Sequence, residues 1–333
     1  MQRASCIYVV LFAGCNGLPL TPLGQLFWPL QVIQALGLWL YLPIVVLGIA
    51  NCFWSRRALV WLLVPLAAFA IDYGWCFWPN RPIVPASPPL PSLRFMTWNL
   101  NFRNTDVAVI AACVETEQPD AIVLQEMNLD VKANLPARLQ ARYPYQQIVS
   151  AYAPIQFAEL AIFSRFPIES AEEAALNRVQ QVQLHVGDRQ LMVYNVHIPV
   201  PRIRSWQLGL MPLPTGFEPA DRQQGFGQLW QHLQHTDNRS TIVLGDFNSA
   251  DRAANYWQLR RLLRDAFRDR GWGFGLTYPA QPKVGPLPWD PIVRIDYIFH
   301  GEGLRAIAAR TGESPISDHR YVVADLQLLN EPR

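Results

Sequence analysis

Six short segments of the chain carry acidic, amide or imidazole side chains directly after an apolar run. They are residues 96–99, 122–126, 193–197, 243–248, 294–297 and 317–319. Such runs indicate buried strands, and buried sheets place reactive groups at strand ends and in the loops that follow. We therefore expect these polar ends to converge on one site and the protein to be an enzyme.

Two of the segments indicate which chemistry these residue types suit. Glu126 closes an apolar strand, where a carboxylate is otherwise unwelcome, so it is the best candidate for a metal ligand. Asp246 and Asn248 flank Phe247, so in an extended backbone both side chains point the same way and can address one group. Oxygen ligands suit Mg²⁺ or Mn²⁺, and no Cys/His cluster in the sequence has zinc spacing.

Short strands and amphipathic helices alternate from Leu93 onward, which predicts a mixed α/β domain. The predicted helices are 106–116, 131–142, 221–235 and 256–267. The predicted strands are 93–99, 121–126, 147–150, 160–164, 179–185, 190–197, 241–247, 293–299, 304–311 and 321–328. These elements must bring the polar segments together.

The motifs, taken in order, resemble the endonuclease/exonuclease/phosphatase superfamily. They are Thr97-Trp98-Asn99, Leu124-Gln125-Glu126, Phe163-Ser164-Arg165-Phe166-Pro167, Asn195-Val196-His197, Gly245-Asp246-Phe247-Asn248-Ser249, Arg294-Ile295-Asp296-Tyr297 and Ser317-Asp318-His319. The resemblance covers Leu93 to about Leu328. It implies metal-dependent phosphoester hydrolysis on an α/β fold, a four-layered α/β sandwich of two packed mixed β-sheets flanked by helices.

The resemblance assigns the first group of residues to the cation and the attacking water. Hydrolysis brings water to a repelling anion, so the site needs a cation to spread charge and a group to orient the water. Glu126, Asp318 and Asn99 are expected near the metal, Mg²⁺ or Mn²⁺. Asp246 is expected to orient or deprotonate the water, while Asn248 and Asn99 hold phosphate oxygens as neutral donors.

The resemblance assigns the second group to proton transfer and charge. Asp296 is expected to fix the tautomer of His319, which then touches the scissile phosphate as a base or as an electrostatic clamp. His197 is expected to donate a proton to the leaving oxygen, with an ordinary packing role as its alternative. The other histidines carry no motif and are expected at the surface or in packing: His185, His232, His235 and His300.

Two further positions bear on substrate specificity and on phosphate contact. Asn101 stands where abasic-site endonucleases of the superfamily carry an acidic residue, so a second carboxylate near the metal is missing and that specificity is not expected. Arg165 is typical of the superfamily at a loop beside the site, where a structural salt bridge and a phosphate contact are equally good interpretations.

The first 90 residues differ from the rest in charge and hydropathy. Of the chain's 28 basic and 26 acidic residues, they hold four and one. Apolar stretches at about 26–53 and 59–78 are each long enough to cross a bilayer, which takes about 20 residues in a helix. We expect residues 1–78 to form a transmembrane helical region of two to three spans that contacts the lipid bilayer. The alternatives are a buried soluble hairpin and, for the shorter stretch at about 4–20, an interfacial helix or a signal-like region.

The charges predict an orientation for this region. Arg56 and Arg57 lie between the two stronger spans and mark the cytoplasmic side by the positive-inside rule. The catalytic domain, residues 92–333, is therefore expected outside the cytoplasm, joined through a Pro-rich linker at 79–91. Asp72 lies inside the last span, where it either sits in an aromatic belt at the outer interface or has a function.

The charge balance bears on the substrate. The chain after residue 90 has 24 basic and 25 acidic residues, whereas proteins that grip nucleic acid need clustered positive charge. The apolar loop at 199–217 follows His197 and is suited to contact lipid or to pack on its own domain. The leading hypothesis is a membrane-anchored, divalent-metal-dependent phosphodiesterase or phosphatase, with a lipid-linked head group as one candidate substrate. The alternatives are an extracytoplasmic nuclease and a non-catalytic scaffold that binds phosphorylated ligands.

Overall fold

The structure is a computed structural model of the chain. It describes residues 1–21, 27–78, 91–150, 159–170, 178–200, 202–208, 211–218, 220–280, 291–313 and 315–330. The chain divides into two compact units. The first comprises Met1–Pro79, Ile203–Phe217 and Ala250–Tyr256, and the second Asn80–Arg202, Glu218–Ser249 and Trp257–Arg333. The predicted linker lies, except for its last residue, outside the described residues.

The N-terminal part of the first unit is helical. Its α-helices are Gln2–Gly17, Trp28–Ala35, Leu42–Trp54 and Leu63–Tyr73, and its 3₁₀ turns are Leu18–Leu20, Gly37–Tyr41, Arg56–Leu62 and Gly74–Cys76. Two continuous helical segments, Gly37–Trp54 and Arg56–Cys76, are long and apolar enough to span a membrane. Large apolar side chains stand exposed along them, among them Phe53 and Ile71.

From residue 91 onward, the described part of the chain forms both strands and helices. The strands are β1 Ser92–Asn99, β2 Ala121–Met127, β3 Tyr145–Ser150, β4 Glu159–Ser164, β5 Ile168–Ser170, β6 Val179–Val186, β7 Arg189–His197, β8 Arg202–Leu208, β9 Met211–Glu218, β10 Thr241–Asp246, β11 Arg264–Asp265, β12 Asp296–His300, β13 Leu304–Gly312 and β14 Tyr321–Leu328. The helices are Val107–Glu117, Leu129–Leu139, Ala220–Gln234, Ala254–Leu259 and Ala266–Arg270.

Two six-stranded mixed sheets form the centre of the second unit. The first has the order β13-β14-β1-β2-β4-β3, and the second has the order β11-β12-β10-β7-β6-β5. In each sheet the central pair is parallel, β1 with β2 and β7 with β10, and an antiparallel strand flanks it on either side. The parallel pairs bring the carboxyl ends of four strands to the sites where the polar motifs lie.

Alternation along the strands explains how the sheets pack. Phe95 of β1 and Val193 of β7 belong to the same buried cluster, so these two faces meet between the sheets. Trp98 of β1 points to the opposite face of the first sheet. There it packs with Ile110 and Leu135 of the helices that cover this sheet. Apolar residues thus fill both faces of the first sheet.

The helix Ala220–Gln234 covers the outer face of the second sheet. The Tyr194 hydroxyl of β7 lies 2.8 Å from the His232 ring nitrogen of that helix, and Leu229 and Leu233 are fully buried. The layers are therefore helix, sheet, sheet and helix. The predicted four-layered sandwich of two mixed sheets is confirmed.

A polar network replaces the apolar contacts between the sheets near the ends of the strands. Asn195 of β7 accepts a hydrogen bond from the Gln125 amide of β2 at 2.8 Å and donates to Gln180 of β6 at 3.1 Å. Gln125 also donates to the Thr97 hydroxyl of β1 at 3.1 Å. All four side chains are buried, so the network fixes how the two sheets align below the site.

The predicted helix 256–267 is wrong. The structure has the helix Ala254–Leu259, then strand β11, then the short helix Ala266–Arg270. The Asp265 carboxylate accepts backbone N–H groups of the last helix and forms a buried ion pair with Arg294 at 2.7 Å. This long-range pair fixes a new helix start, which the helical spacing of the sequence could not reveal. The predicted loop 199–217 differs also, because its backbone forms the two-stranded sheet β8–β9.

The polar network predicts an effect on stability. We expect Asn195→Ala to lower the free energy of unfolding by about 2 kcal/mol or more, because buried amide and carbonyl groups lose their partners. Gln190→Ala is the matched control, since Gln190 lies on the same strand but is exposed. Urea unfolding of the full-length protein, followed by tryptophan fluorescence, measures both. Equal midpoints for the two variants would contradict a stabilising role for the network.

Candidate active site

Two buried carboxylates lie opposite each other at the centre of the site. Asp246 ends β10 and Asp296 begins β12, and the two are paired directly across the antiparallel ladder. Each residue is 1% exposed. Gly245, with φ +143°, places Asp246 here, because a Cβ on residue 245 would lie 1.9 Å from the Val196 carbonyl oxygen. No other residue type fits that approach between β7 and β10.

His319 lies between the two carboxylates. Its Nδ1 is 3.0 Å from Asp296, and its Nε2 is 3.9 Å from Asp246. The preceding residues hold it there, because the Ser317 hydroxyl donates to the Asn99 carbonyl at 2.6 Å and accepts the His319 backbone N–H at 3.0 Å. Trp98 donates its indole N–H to the His319 carbonyl at 3.2 Å. The motif 317–319 is thus docked on the end of β1.

The charges of this trio depend on one another. Burial disfavours the imidazolium, but Asp296 and Asp246 outweigh it and raise the pKa of His319 to about 10. Burial, followed by the charge of Asp296, raises the pKa of Asp246 to about 7. His319 is therefore a cation at neutral pH, and Asp246 exchanges its proton near neutrality.

Asn99 connects the trio with Glu126. Its side-chain amide nitrogen donates to Asp246 at 3.0 Å and to Glu126 at 3.3 Å, while its side-chain oxygen accepts the Asn101 backbone N–H at 3.0 Å. Asn101 itself adopts the left-handed region with φ 60°. Asn101 therefore shapes the loop after β1 where the superfamily resemblance suggested an acidic position.

A break in β2 turns Glu126 toward the site. Strict alternation would send Glu126 to the face opposite Gln125, away from Asn99. The pairing of β2 with β4 shifts between Leu124 and Met127, and Glu126 has φ 54°. A β-bulge with a left-handed residue re-aims a side chain and is strained for any residue but glycine. This bulge brings the Glu126 carboxylate within 3.4 Å of the His197 Nε2.

Asn248 lies beside Asp246, but not by strand alternation as the sequence predicted. The strand ends at Asp246, and Asn248 has φ 46°, so the backbone turns. Asp246 accepts the Asn248 backbone N–H at 2.8 Å and its side-chain amide at 3.2 Å. The two residues form a turn closed by the aspartate side chain, which is typical of Asp after a strand.

His197 ends β7 between Glu126 and Asp246. Its Nε2 is 3.4 Å from Glu126 and 3.8 Å from Asp246. Burial and the neighbouring cations His319 and Arg178 lower the pKa of His197 to about 3. The site therefore holds one neutral and one protonated imidazole. Because their protonation states differ, the two imidazoles are suited to different chemical roles.

Tyr278 is a site residue that the sequence analysis missed. Its ring lies over His319, with centroids 4.8 Å apart at 45°, and burial followed by Asp318, Asp246 and Glu126 raises its pKa. The Ala280 backbone N–H donates to the Asp318 carbonyl at 2.6 Å, which ties this segment to the motif 317–319. Neither spacing nor a polar strand end marks Tyr278 in the sequence.

Arg165 forms a structural salt bridge. Its guanidinium lies 2.6 Å from Asp120, whose other carboxylate oxygen accepts the Arg94 backbone N–H at 2.8 Å. Of the two interpretations of Arg165, the structure supports the salt bridge.

The donor groups fit a hard divalent cation. Glu126, Asp246, Asp296 and Asp318 surround Tyr278 and the histidines with carboxylate oxygens, and His319 supplies one positive charge. Within the described part of the chain, Asp246, Asp296 and His319 offer ligand atoms within 4.8 Å of one another. Because His319 is bound to Asp296, the carboxylate oxygens of Glu126 and Asp318 are the better candidates to hold Mg²⁺ or Mn²⁺. Asn99, the third predicted ligand, turns its amide N–H groups and not its oxygen toward Glu126.

The comparison with known families decides the classification. A model of the Endonuclease/Exonuclease/phosphatase family matches residues 96–319. The chain belongs to this family. The family match supports the predicted hydrolase class. No curated protein matches the chain significantly.

Solved structures of the endonuclease/exonuclease/phosphatase family share the fold. A family member from Beutenbergia cavernae DSM 12333 is 21% identical with a TM-score of 0.52, covering 72% of each chain. An AP endonuclease from Archaeoglobus fulgidus is 17% identical with a TM-score of 0.53, covering 70% of this chain and 98% of its own. A family protein from Bacteroides vulgatus is 16% identical with a TM-score of 0.53, covering 72% and 99%. At these identities the similarity concerns the fold alone.

The trio of Asp246, Asp296 and His319 predicts a titration that can be measured directly. In metal-free protein, we expect the His319 ring to titrate near pH 10 and Asp296→Asn to move that titration well below pH 10. The sign follows because the variant removes a negative charge that favours the imidazolium. NMR of histidine-labelled protein measures the shift. Asp130→Asn, at an exposed position, is the control, and an unchanged His319 titration in Asp296→Asn would contradict the pairing.

Proposed function

We propose that this protein is a membrane-anchored, divalent-metal-dependent phosphoester hydrolase that acts outside the cytoplasm, with a lipid-linked phosphorylated head group as its substrate. The observation that carries the proposal is the charge arrangement of one site. A carboxylate that exchanges its proton near neutral pH lies 3.9 Å from a cationic imidazole and 3.0 Å from the Asn99 amide. The site therefore offers a carboxylate to a water, a cationic imidazole to a phosphate, and further carboxylates to a cation.

Asp246 is the group suited to the attacking water. A base is most effective when its pKa lies near the working pH, and burial raises that of Asp246 to about 7. Hydrogen bonds from Asn99 and Asn248 fix its carboxylate. We assign Asp246 to orient the water and accept its proton.

His319 is the group suited to the phosphate. As an imidazolium held by Asp296, it donates a charge-assisted hydrogen bond and stabilises negative charge on a phosphate oxygen, so it acts as a clamp rather than as a base. Asn248 and Asn99 lie where neutral donors can join it. Its protonation at neutral pH supports the clamp over the base, the two roles that the sequence left open.

His197 is assigned to the leaving oxygen. Because burial lowers its pKa to about 3, the ring carries no imidazolium proton to transfer at neutral pH, and its N–H instead donates a hydrogen bond to that oxygen while negative charge develops there. Its position 3.4 Å from Glu126 keeps it close to the candidate cation ligands.

A divalent cation, when bound, spreads the charge of the phosphate and lowers the pKa of water. Glu126 and Asp318 would hold it, and Asn99 would hold the Glu126 carboxylate through its amide N–H. Glu126 is the principal candidate. Its left-handed backbone in the bulge of β2 is strained, and this strained conformation turns its carboxylate toward the site.

The N-terminal helices support the membrane anchor. A core helix of a soluble protein would be mostly buried, whereas the candidate spans Gly37–Trp54 and Arg56–Cys76 are 17% and 22% buried. Arg56 and Arg57 are exposed at the junction between them, as the positive-inside rule requires of a cytoplasmic turn. This orientation supports a catalytic domain outside the cytoplasm.

The charge and the first unit support a lipid-linked substrate over nucleic acid. The near-neutral catalytic domain lacks the excess of positive charge that grips a nucleic acid backbone. The segment Ile203–Phe217, which follows His197 in the sequence, groups with the N-terminal helices in the first unit. Both features favour a substrate held at a bilayer over a nucleic acid.

The proposal is tested with full-length protein in nanodiscs against three substrates: phospholipid vesicles, single-stranded and plasmid DNA, and bis(p-nitrophenyl) phosphate. We expect release of phosphorylated head groups with Mg²⁺ or Mn²⁺ and none with EDTA. Glu126→Gln should lower the rate at least about a hundredfold, because it removes a charged ligand at the reacting phosphate.

Glu115→Gln is the control, since this acid is exposed on the helix Val107–Glu117. It should retain the wild-type rate. DNA cleavage that exceeds lipid cleavage and is lost in Glu126→Gln would replace the lipid substrate with the nuclease alternative. Folded wild-type protein that hydrolyses none of the three substrates under any divalent ion would contradict the enzyme itself.

A further inference from the structure

Tyr278 belongs to the candidate site, but no step of the proposed function uses it. Its ring lies over the His319 imidazole, with the two centroids 4.8 Å apart. Tyr278 is 36% exposed, whereas His319 and Asp246 beside it are buried. Tyr278 therefore forms part of the wall of the site that a substrate can reach from solvent.

The backbone at Tyr278 is fixed to the segment that carries Asp296. The Tyr278 N–H donates to the Val293 carbonyl at 3.0 Å, and the Tyr278 carbonyl accepts the Val293 N–H at 2.9 Å. The neighbouring Thr277 hydroxyl accepts the backbone N–H groups of Ile295 at 3.1 Å and of Asp296 at 3.3 Å. These hydrogen bonds hold the tyrosine in a defined position relative to Asp296.

The hydroxyl of Tyr278 has no hydrogen-bond acceptor in the described part of the chain. Burial, followed by the charges of Asp318, Asp246 and Glu126, raises the pKa of this group, so the hydroxyl lies within electrostatic reach of three carboxylates. A tyrosine keeps its proton at neutral pH, and its O–H is a donor. This donor is therefore available to an acceptor that enters the site.

The two neutral amides that the sequence assigned to the phosphate are already engaged by protein oxygens. The Asn99 amide nitrogen donates to Asp246 at 3.0 Å and to Glu126 at 3.3 Å. The Asn248 amide nitrogen donates to the Ile198 carbonyl at 2.9 Å and to Asp246 at 3.2 Å. An amide has two N–H groups, so each asparagine reaches a phosphate only by giving up one of these acceptors.

The surroundings of the Tyr278 hydroxyl indicate which acceptor fits it. The ring faces the His319 imidazolium, which the proposed function assigns to a phosphate oxygen. A phosphate carries further non-bridging oxygens, which need donors beside the imidazolium. Donors that are fixed in place before the reaction stabilise such charged oxygens most effectively.

We propose that Tyr278 is a further catalytic residue, whose hydroxyl donates a hydrogen bond to a non-bridging oxygen of the substrate phosphate beside His319. The inference rests on the proposed function for its rate measurement, because it adds a donor to the same site. Binding of inorganic phosphate gives a second measurement that needs no turnover.

The rate is measured with full-length protein in nanodiscs, with bis(p-nitrophenyl) phosphate and Mn²⁺. We expect Tyr278→Phe, which keeps the ring and removes the hydroxyl, to lower kcat/KM by about tenfold or more, because a hydrogen bond to a charged oxygen is lost. Its urea unfolding midpoint should equal that of wild type, which separates loss of the donor from loss of folding.

Tyr145→Phe is the matched control. Tyr145 is 40% exposed and begins β3 at the end of the first sheet opposite Glu126. This variant also removes one partly exposed tyrosine hydroxyl, so it should keep the wild-type kcat/KM.

The second measurement is a calorimetric titration with inorganic phosphate in the presence of Mg²⁺. Wild-type protein should bind phosphate at least about fivefold more tightly than Tyr278→Phe, since the variant lacks one donor. Wild-type kcat/KM together with wild-type phosphate affinity in Tyr278→Phe would overturn the proposal, and so would wild-type protein that binds no phosphate. Wild-type protein that binds phosphate more tightly than Tyr278→Phe but hydrolyses no substrate would remove the proposed function and support this inference.

Discussion

The repulsion between two buried carboxylates organises the site. Asp246 and Asp296 face each other on neighbouring strands and are almost inaccessible to water. Like charges directly opposite each other destabilise a sheet, and burial increases the cost. The imidazolium of His319 offsets this repulsion, and Asn99 adds a neutral donor. Burial, followed by the charge of Asp296, raises the pKa of Asp246, and this raised pKa is also the property that suits the group to act as a base.

The polarity of the side chains that point between the sheets changes along the strands, and this change places these groups at the site. On β7 the residues that face the other sheet run from Val193 through Asn195 to His197, that is, from apolar to amide to imidazole at the candidate site. On β1 they run in the same way from Phe95 through Thr97 to Asn99. The apolar layer supplies the stability, and the buried amide network above it fixes the register of the sheets, because a shifted strand would leave its donors and acceptors without partners.

Much of this arrangement could be predicted from the sequence. Four of the six polar motifs lie at the carboxyl ends of strands as predicted, whereas Asp296 begins β12 and the motif 317–319 precedes β14. The structure nevertheless brings the predicted site residues together: Asn99, Glu126, His197, Asp246, Asn248, Asp296 and His319. Strand periodicity and strand-end polarity are local signals, so they can be seen without the fold.

The features that escaped prediction depend on long-range contacts. The left-handed bulge turns the Glu126 carboxylate of β2 toward Asn99, which lies on β1. The pair of Asp265 and Arg294 ends a predicted helix from a distance of 29 residues. Tyr278 contacts His319 from a segment that has no motif. The Arg252 guanidinium lies 3.4 Å from the carboxylate of Asp72, which belongs to a helix in the first quarter of the chain. None of these contacts leaves a periodic pattern in the sequence.

The central claim is that strand ends distant in the sequence close around one divalent cation beside a protonated histidine. A crystal structure with Mn²⁺, located by its anomalous scattering, tests this most directly. The account predicts one strong peak about 2.1 Å from a Glu126 carboxylate oxygen, with His319 outside the coordination shell and still bound to Asp296. A peak coordinated by the His319 ring, or no peak near Glu126, would contradict it.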